Sequence, residues 1–424
     1  MKKYLFLLLL VWLPFGISAQ EIKGVSNNEY PDDSVAEADT VGVNNASFSR
    51  DSLLAWPDNL KSRMEKLLES SIFNRSQIGL CIYDLTADSL IFERGKQQLL
   101  RPASTEKLLT SITALSTLGG SYRFETGLYY QGDIVEDTLL KGDIYIVGGF
   151  DPAFGHDDMK AFIQALSRKG IRAIEGNIYT DVSMKDTLQW GEGWCWDDEL
   201  TRLTPLLYNG KDIFMSKFFS ALFDEGIKSS QVSSIRCMPK EGMTLLVSRF
   251  HTMDQILMRM MKDSDNMYAE AMFYQLGART NQAYPKKSMS SVVVENLIRK
   301  IGLNPSDYRI ADGSGLSLYN YVTPELLVKM LRYAYRDNTI YLHLYPSLPI
   351  AGIDGTLSKR MRKGSAYDNV HAKTGTVEGV STLAGYATAP NGHIIAFSIV
   401  NQGILRSSTG RNFQDRVCQA ITSP

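Results

Sequence analysis

Ser104-Thr105-Glu106-Lys107 opens an apolar run in which Leu108, Leu109, Ile112, Leu115 and Leu118 recur at i, i+3/i+4 and i+7 spacing, and Gly119-Gly120 ends it. The spacing predicts a helix. Residues three apart share a helix face, so Lys107 can reach the Ser104 hydroxyl and take its proton once burial or neighbouring cations lower the lysine pKa. The pair is a nucleophile with its own base. Taken alone, a serine and a lysine at this spacing also describe an ordinary solvated helix face, and segments elsewhere in the chain decide between the two readings.

Ser264-Asp265-Asn266 follows the helical residues Ile256, Leu257, Met260 and Met261, and Lys373-Thr374-Gly375-Thr376 follows Val370-His371-Ala372 in an extended segment. The order S-x-x-K, S-D-N, K-T-G is the set used by penicillin-binding proteins and class A β-lactamases. Flanking segments narrow the match: Pro102-Ala103 before Ser104, Tyr122-Arg123-Phe124, Gly149-Phe150-Asp151-Pro152, Gly193-Trp194-Cys195-Trp196-Asp197-Asp198, Ala311-Asp312-Gly313-Ser314-Gly315-Leu316-Ser317 and Leu348-Pro349-Ile350-Ala351-Gly352. From about Ser76 to the C-terminus the chain resembles the D-alanyl-D-alanine carboxypeptidase/endopeptidase family of the penicillin-binding protein 4 type.

That resemblance implies a serine peptidase that removes the terminal D-alanine of peptidoglycan stem peptides, hydrolyses D-alanyl cross-links and is acylated by β-lactam antibiotics. It implies these roles: Ser104 attacks, Lys107 is its base, Ser264 relays the proton toward the leaving group, and Asn266 holds the substrate amide through its donor and acceptor. Lys373 supplies positive charge to the terminal carboxylate, with Thr374, Gly375 and Thr376 lining the substrate and the N–H groups of Ser104 and Thr376 forming the oxyanion hole. Asp198 is expected to meet a substrate ammonium, with a helix N-cap as the competing reading. Asp312, Ser314 and Ser317 are expected to shape the cleft wall. The family often carries an arginine where this chain has Leu318, and Lys359, Arg360 or a neighbouring chain is available to compensate.

Two other functions share this pattern. A β-lactamase or esterase uses the same serine and lysine, although no Glu-x-x-x-Asn element of the class A kind stands out, and a non-catalytic peptidoglycan-binding protein can retain the fold. Each residue also has a structural alternative: Lys373 as a surface lysine on an edge strand, Asn266 as a helix cap, Ser264 as a turn residue.

The expected architecture is α+β. Strands at Ile78 to Leu85 and Leu90 to Arg94, and a hairpin of Gly379 to Thr388 with His393 to Asn401, predict an antiparallel sheet made by both chain ends, with helices from Ser104 and from about Thr252 beside it. The stretch between Ser104 and Ser264 is too long for a loop, and strands at Gly127 to Tyr130, Asp143 to Val147 and Gly176 to Tyr179 with a helix at Met159 to Ser167 predict an inserted α+β domain at 123–250. The peptidase domain is then 51–122 together with 251–424. The stretch after Asn209 reads as abbreviated relative to family members, which carry a nested subdomain there.

Lys2-Lys3, the apolar run Tyr4 to Phe15 and small residues ending at Ala19 predict a secretory signal at 1–19; the run falls short of the roughly 20 residues that span a bilayer. Residues 20–50 lack an apolar period and predict a flexible leader. The mature chain is expected outside the inner membrane, secreted, periplasmic or wall-associated, without a transmembrane anchor. A balance of 45 basic to 46 acidic residues gives no pull toward nucleic acid. Cys81, Cys195, Cys237 and Cys418 permit two disulfides in an exported chain, while the five histidines lack metal-ligand spacing, so no metal or cofactor is expected.

Overall fold

The structure is a computed structural model that describes residues 54–424, apart from 199–200, 240 and 281. The predicted signal and leader lie outside the described residues. In chain order the strands are β1 (Gln77–Asp84), β2 (Ser89–Arg94), β3 (Arg123–Val135), β4 (Leu139–Val147), β5 (Ala173–Glu175), β6 (Ile178–Asp181), β7 (Ser233–Ile235), β8 (Thr244–Thr252), β9 (His371–Val377), β10 (Val380–Thr388) and β11 (Ile394–Gln402). The helices are α1 (Asp58–Leu68), α2 (Glu106–Leu118), α3 (His156–Arg168), α4 (Phe214–Asp224), α5 (Met253–Lys262), α6 (Asn266–Ala278), α7 (Lys287–Lys300), α8 (Pro324–Tyr335), α9 (Asn338–Ser347) and α10 (Ser407–Thr422).

The two chain ends build one antiparallel sheet in the order β2-β1-β11-β10-β9, with Leu80 and Leu383 both opposite Ile399. β10 and β11 are buried along nearly their whole length, because both faces are covered. Tyr386 of β10 donates its hydroxyl to the Leu331 carbonyl of α8, and Ser381, which points to the opposite face, accepts from Gln414 of α10. β9 stays at the sheet edge, and this edge carries Lys373 to Thr376.

Helix α2 was expected to show the core one apolar stripe; instead every residue from Glu106 to Leu115 is buried. The packing of α5 to α9 around it accounts for this, since α2 touches each of them. Polar residues inside that shell need internal partners. Thr110 has one in the Gly313 carbonyl at 2.7 Å.

A second, mixed sheet runs β7-β6-β4-β3-β8, with β5 beside β4. β3 pairs antiparallel with β4 and β8, while β4–β6 and β6–β7 are parallel. Its own core of Leu128, Ile144, Phe154, Phe162, Phe214 and Phe218 lies under α3 and α4. Arg123, the first residue of β3, faces Thr252, the last of β8, so the chain enters and leaves this sheet at neighbouring strand ends. The stretch after Asn209 holds α4, β7 and β8. No described helix is long and apolar enough to cross a membrane.

Candidate active site

Ser104 sits in a single 3₁₀ turn, Ala103–Thr105, immediately before α2, so the amino end of that helix adds positive potential at its hydroxyl. The turn is held tightly. Thr105 Oγ1 donates to the Pro102 carbonyl at 2.6 Å, Thr382 Oγ1 of β10 donates to the same carbonyl at 2.9 Å, and Ala103 adopts a left-handed φ of 46°. Ser104 itself is only half-buried, which leaves it open to a substrate.

Lys107 is fully buried, and its Nζ lies 3.0 Å from Ser104 Oγ, 2.7 Å from Asn266 Oδ1 and 2.8 Å from the Ser314 carbonyl. A neutral amine has two N–H bonds and one lone pair. The two carbonyl oxygens can only accept, so they take the two N–H bonds and leave the lone pair for the Ser104 hydroxyl. Burial pulls the Lys107 pKa down to about 8, against the opposing pull of Asp312, Glu270, Asp265 and Glu106. The sequence expects Asn266 to offer donor and acceptor to a substrate amide; its oxygen already accepts from Lys107, and no hydrogen bond engages Nδ2 among the described residues.

Ser264 and Asn266 flank the junction of α5 and α6. Asp265 is the N-cap of α6, accepting from Met267 N and Tyr268 N at 3.0 and 3.3 Å, and so the helix-cap alternative belongs to Asp265 and not to Asn266. Ser264 takes a left-handed φ of 61°, uncommon for a serine. Its Oγ accepts from Lys373 Nζ at 2.8 Å. Lys373 stands on an edge strand yet is fully buried, and burial followed by repulsion from Lys107 holds its pKa well below the usual lysine value. A carboxylate arriving beside it would reverse that shift.

Gly375 explains why strand and turn can meet. A Cβ there would lie 2.8 Å from Ser104 N and 2.2 Å from Thr382 Oγ1, so only glycine allows this approach. Gly375→Ala is expected to displace Ser104 and cut its acylation rate by tenfold or more, as misplacements of about 1 Å do. An unchanged acylation rate would show that the contact is dispensable. Thr374 donates to Thr356 Oγ1 at 2.7 Å, whereas the Thr376 side chain is exposed.

The segment 192–194 docks on the 312–319 loop: Trp194 Nε1 donates to Asp312 Oδ2 at 2.9 Å, Ser317 Oγ donates to the Glu192 carbonyl at 2.6 Å, and Leu318 N donates to the Gly193 carbonyl. Four residues further on, Asp198 accepts from Cys195 N at 2.6 Å and closes a turn. At Leu318 the carbonyl accepts from Arg101 Nε at 3.2 Å, while Arg360 is committed to Asp415 at 2.6 Å and to Gln414. Arg101, next to Pro102, is therefore a cation held against Leu318 itself, and neither motif announces it. His371 stacks on Tyr345 at 4.2 Å, and all four cysteines are free, with Cys81 and Cys418 buried.

Helical layers on an antiparallel sheet, with two serine–lysine contacts beside the edge strand, define the β-lactamase/transpeptidase-like fold. The chain belongs to the D-Ala-D-Ala carboxypeptidase 3 (S13) family, whose sequence pattern matches residues 60–207 and 204–423. It is 23% identical to the D-alanyl-D-alanine carboxypeptidase DacB of Haemophilus influenzae, covering 83% of this chain and 91% of that protein. The crystal structure of penicillin binding protein 4 (dacB) from the same organism superposes with a TM-score of 0.75 at 22% identity, over 85% of this chain and 98% of that one. A predatory peptidoglycan endopeptidase of Bdellovibrio bacteriovorus superposes at 0.57 and 20% identity, over 82% and 92%.

Proposed function

We propose that this chain is a serine-type D-alanyl-D-alanine carboxypeptidase and endopeptidase acting on peptidoglycan stem peptides and their cross-links. The observation that carries the reading is the approach of Lys107 Nζ to Ser104 Oγ with both remaining N–H directions occupied. Ser104 Oγ attacks the carbonyl between two D-alanines as its proton passes to Lys107, and the N–H groups of Ser104 and Thr376 take the oxyanion. Ser264, bridged to Lys373, relays that proton from Lys107 to the departing amine, which returns Lys107 to its neutral form. Asn266 Nδ2 and Gly375 hold the acyl side, and water then attacks the ester and frees Ser104. β-Lactams enter the same cycle and stall at the ester. Labelling the protein with a fluorescent penicillin tests this against a binding-only role, since a non-catalytic wall protein takes up no covalent label.

In this reading 51–122 and 251–424 form the peptidase domain and 123–250 the inserted domain, with export directed by residues 1–19 and the enzyme working in the periplasm or wall. Lys373 recognises the terminal carboxylate. Replacing it with alanine is expected to impair peptides with a free terminal carboxylate by about 10- to 100-fold more than neutral ester analogues, the range for hydrogen bonds between charged groups. Equal losses on both would assign Lys373 to chemistry or structure instead.

Asp198 is placed by this reading on the substrate's side-chain ammonium. Asp198→Asn is expected to lower kcat/KM for stem peptides with a free third-position amine by about five- to two-hundred-fold, with little change for the acetylated peptide or for penicillin. If both peptides slow equally, Asp198 serves only the turn it closes on Cys195.

A further inference from the structure

The acceptor that shares Lys107 with Asn266 is a backbone carbonyl, and that carbonyl is clamped. Ser314 lies in a loop without regular structure, where a peptide plane is free to rotate unless something holds it. Two consecutive amides of the loop, Gly313 N and Ser314 N, donate to one oxygen, Glu270 Oε1, at 3.1 and 2.9 Å. The Gly313 carbonyl, in the same peptide unit as Ser314 N, accepts from Thr110 Oγ1 at 2.7 Å. The next unit carries the Ser314 carbonyl, and its N–H, on Gly315, donates to Asp312 Oδ1 at 2.8 Å. Three side chains thus fix three adjacent peptide planes.

Glu270 is fully buried and stands four residues after Asn266 on α6, so the two share a helix face. That face reaches Lys107 twice: through the Asn266 oxygen directly, and through Glu270 by way of the loop. We infer that Glu270 is a positioning residue for the acylation chemistry, which with Thr110 and Asp312 aims the Ser314 carbonyl so that the Lys107 lone pair points at Ser104. This inference rests on the function proposed above. Nothing in the three motifs requires a carboxyl at 270, and no substrate group needs to touch it.

The mechanism separates hydrogen bonding from charge. Glutamine at 270 retains a carbonyl oxygen able to accept from both amides, whereas methionine has similar length and no such acceptor. Charged and titratable groups around Lys107 come from every side: Glu106 on its own helix, Asp265 and Glu270 on α6, Asp312 on the loop and Lys373 on β9. Any of them can shift the pH at which Lys107 loses its proton. The orientation of the neutral amine is read instead on the high-pH plateau of the acylation rate, where Lys107 is neutral in every variant.

The experiment measures acylation by a fluorescent penicillin against pH for the parent, Glu270→Gln, Glu270→Met and Thr110→Val, with thermal melting of each. Glu270→Gln is expected to keep the plateau within about threefold, and Glu270→Met to lose at least about tenfold of it, the scale of a small misplacement of a reacting group. Thr110→Val, which removes the second anchor and fills the same volume, is expected to lose plateau rate in the same direction. A folded Glu270→Met protein at the parent plateau overturns the inference, and so does a Gln variant that falls as far as the Met variant. Thr110→Val at the parent plateau overturns it as well, which decides the matter if Glu270→Met does not fold. A parent protein that takes no label refutes the proposed function itself, a result distinct from all of these.

Discussion

A Ser104→Ala protein is expected to melt as the parent does and to lose covalent penicillin labelling completely. The substitution removes one oxygen atom, and the only hydrogen bond that oxygen makes among the described residues is to Lys107 Nζ. Lys107 keeps two acceptors, Asn266 Oδ1 and the Ser314 carbonyl, so the change leaves no buried cation stranded. No other described serine has a lysine placed as this one is: the hydroxyl of Ser264 accepts from Lys373, whose second hydrogen bond goes to the Thr374 carbonyl on its own strand. Loss of hydrolysis should reach on the order of 10³-fold or more, as when nucleophiles are deleted from other serine enzymes. A folded Ser104→Ala protein that still carries label after denaturation would place the nucleophile elsewhere.

The second large effect belongs to Lys107. Lys107→Ala should lower the acylation rate by about 10²- to 10⁴-fold, the usual contribution of a positioned general base. It should also change the pH profile. In the proposed mechanism the base is the neutral amine, and burial brings its pKa down to about 8; the parent rate is therefore expected to rise with pH, to pass half its plateau near that value, and at two units lower to have about a hundredth of the base available. The alanine variant lacks this limb. A near-parental rate, or an acid limb that survives the substitution, would identify a different base.

The pairing of Ser104 with Lys107 was legible because both lie within one helical turn, where spacing alone fixes the distance. The contact of Lys373 with Ser264 was not. It depends on how β9 lies against the α5–α6 junction, information carried by the whole fold and not by either motif. The hairpin of β10 and β11 could be read from its alternation and its Pro390-Asn391-Gly392 turn, and the observed strands agree to within a residue or so. β8 carries no legible strand signal, since its apolar residues do not alternate with burial: Leu245 and Phe250 are exposed on a sheet edge. Helix α2 reads as amphipathic because a period reports one apolar stripe, while Thr110, Ser111 and Thr113 are buried by later helices that its own sequence cannot announce.

Glu106 shows the same limit in its sharpest form. Nothing in Ser104-Thr105-Glu106-Lys107 marks the acid as interior, yet its side chain is fully buried with no hydrogen-bond partner on either oxygen among the described residues, and desolvation raises its pKa well above the usual carboxylate range. Glu270 did leave a signal, in its four-residue offset from Asn266, but a single offset of that kind recurs on every helix. The Arg101 contact with Leu318 needed the loop's path to be known.

Release of D-alanine from a stem pentapeptide ending in D-alanyl-D-alanine, measured with and without one equivalent of penicillin bound, tests the central claim most directly. The account predicts one D-alanine freed per peptide, and release that stops in proportion to the fraction of Ser104 carrying the penicilloyl ester. A protein that labels fully and still releases D-alanine, or one that labels and never releases it when free, would contradict the account.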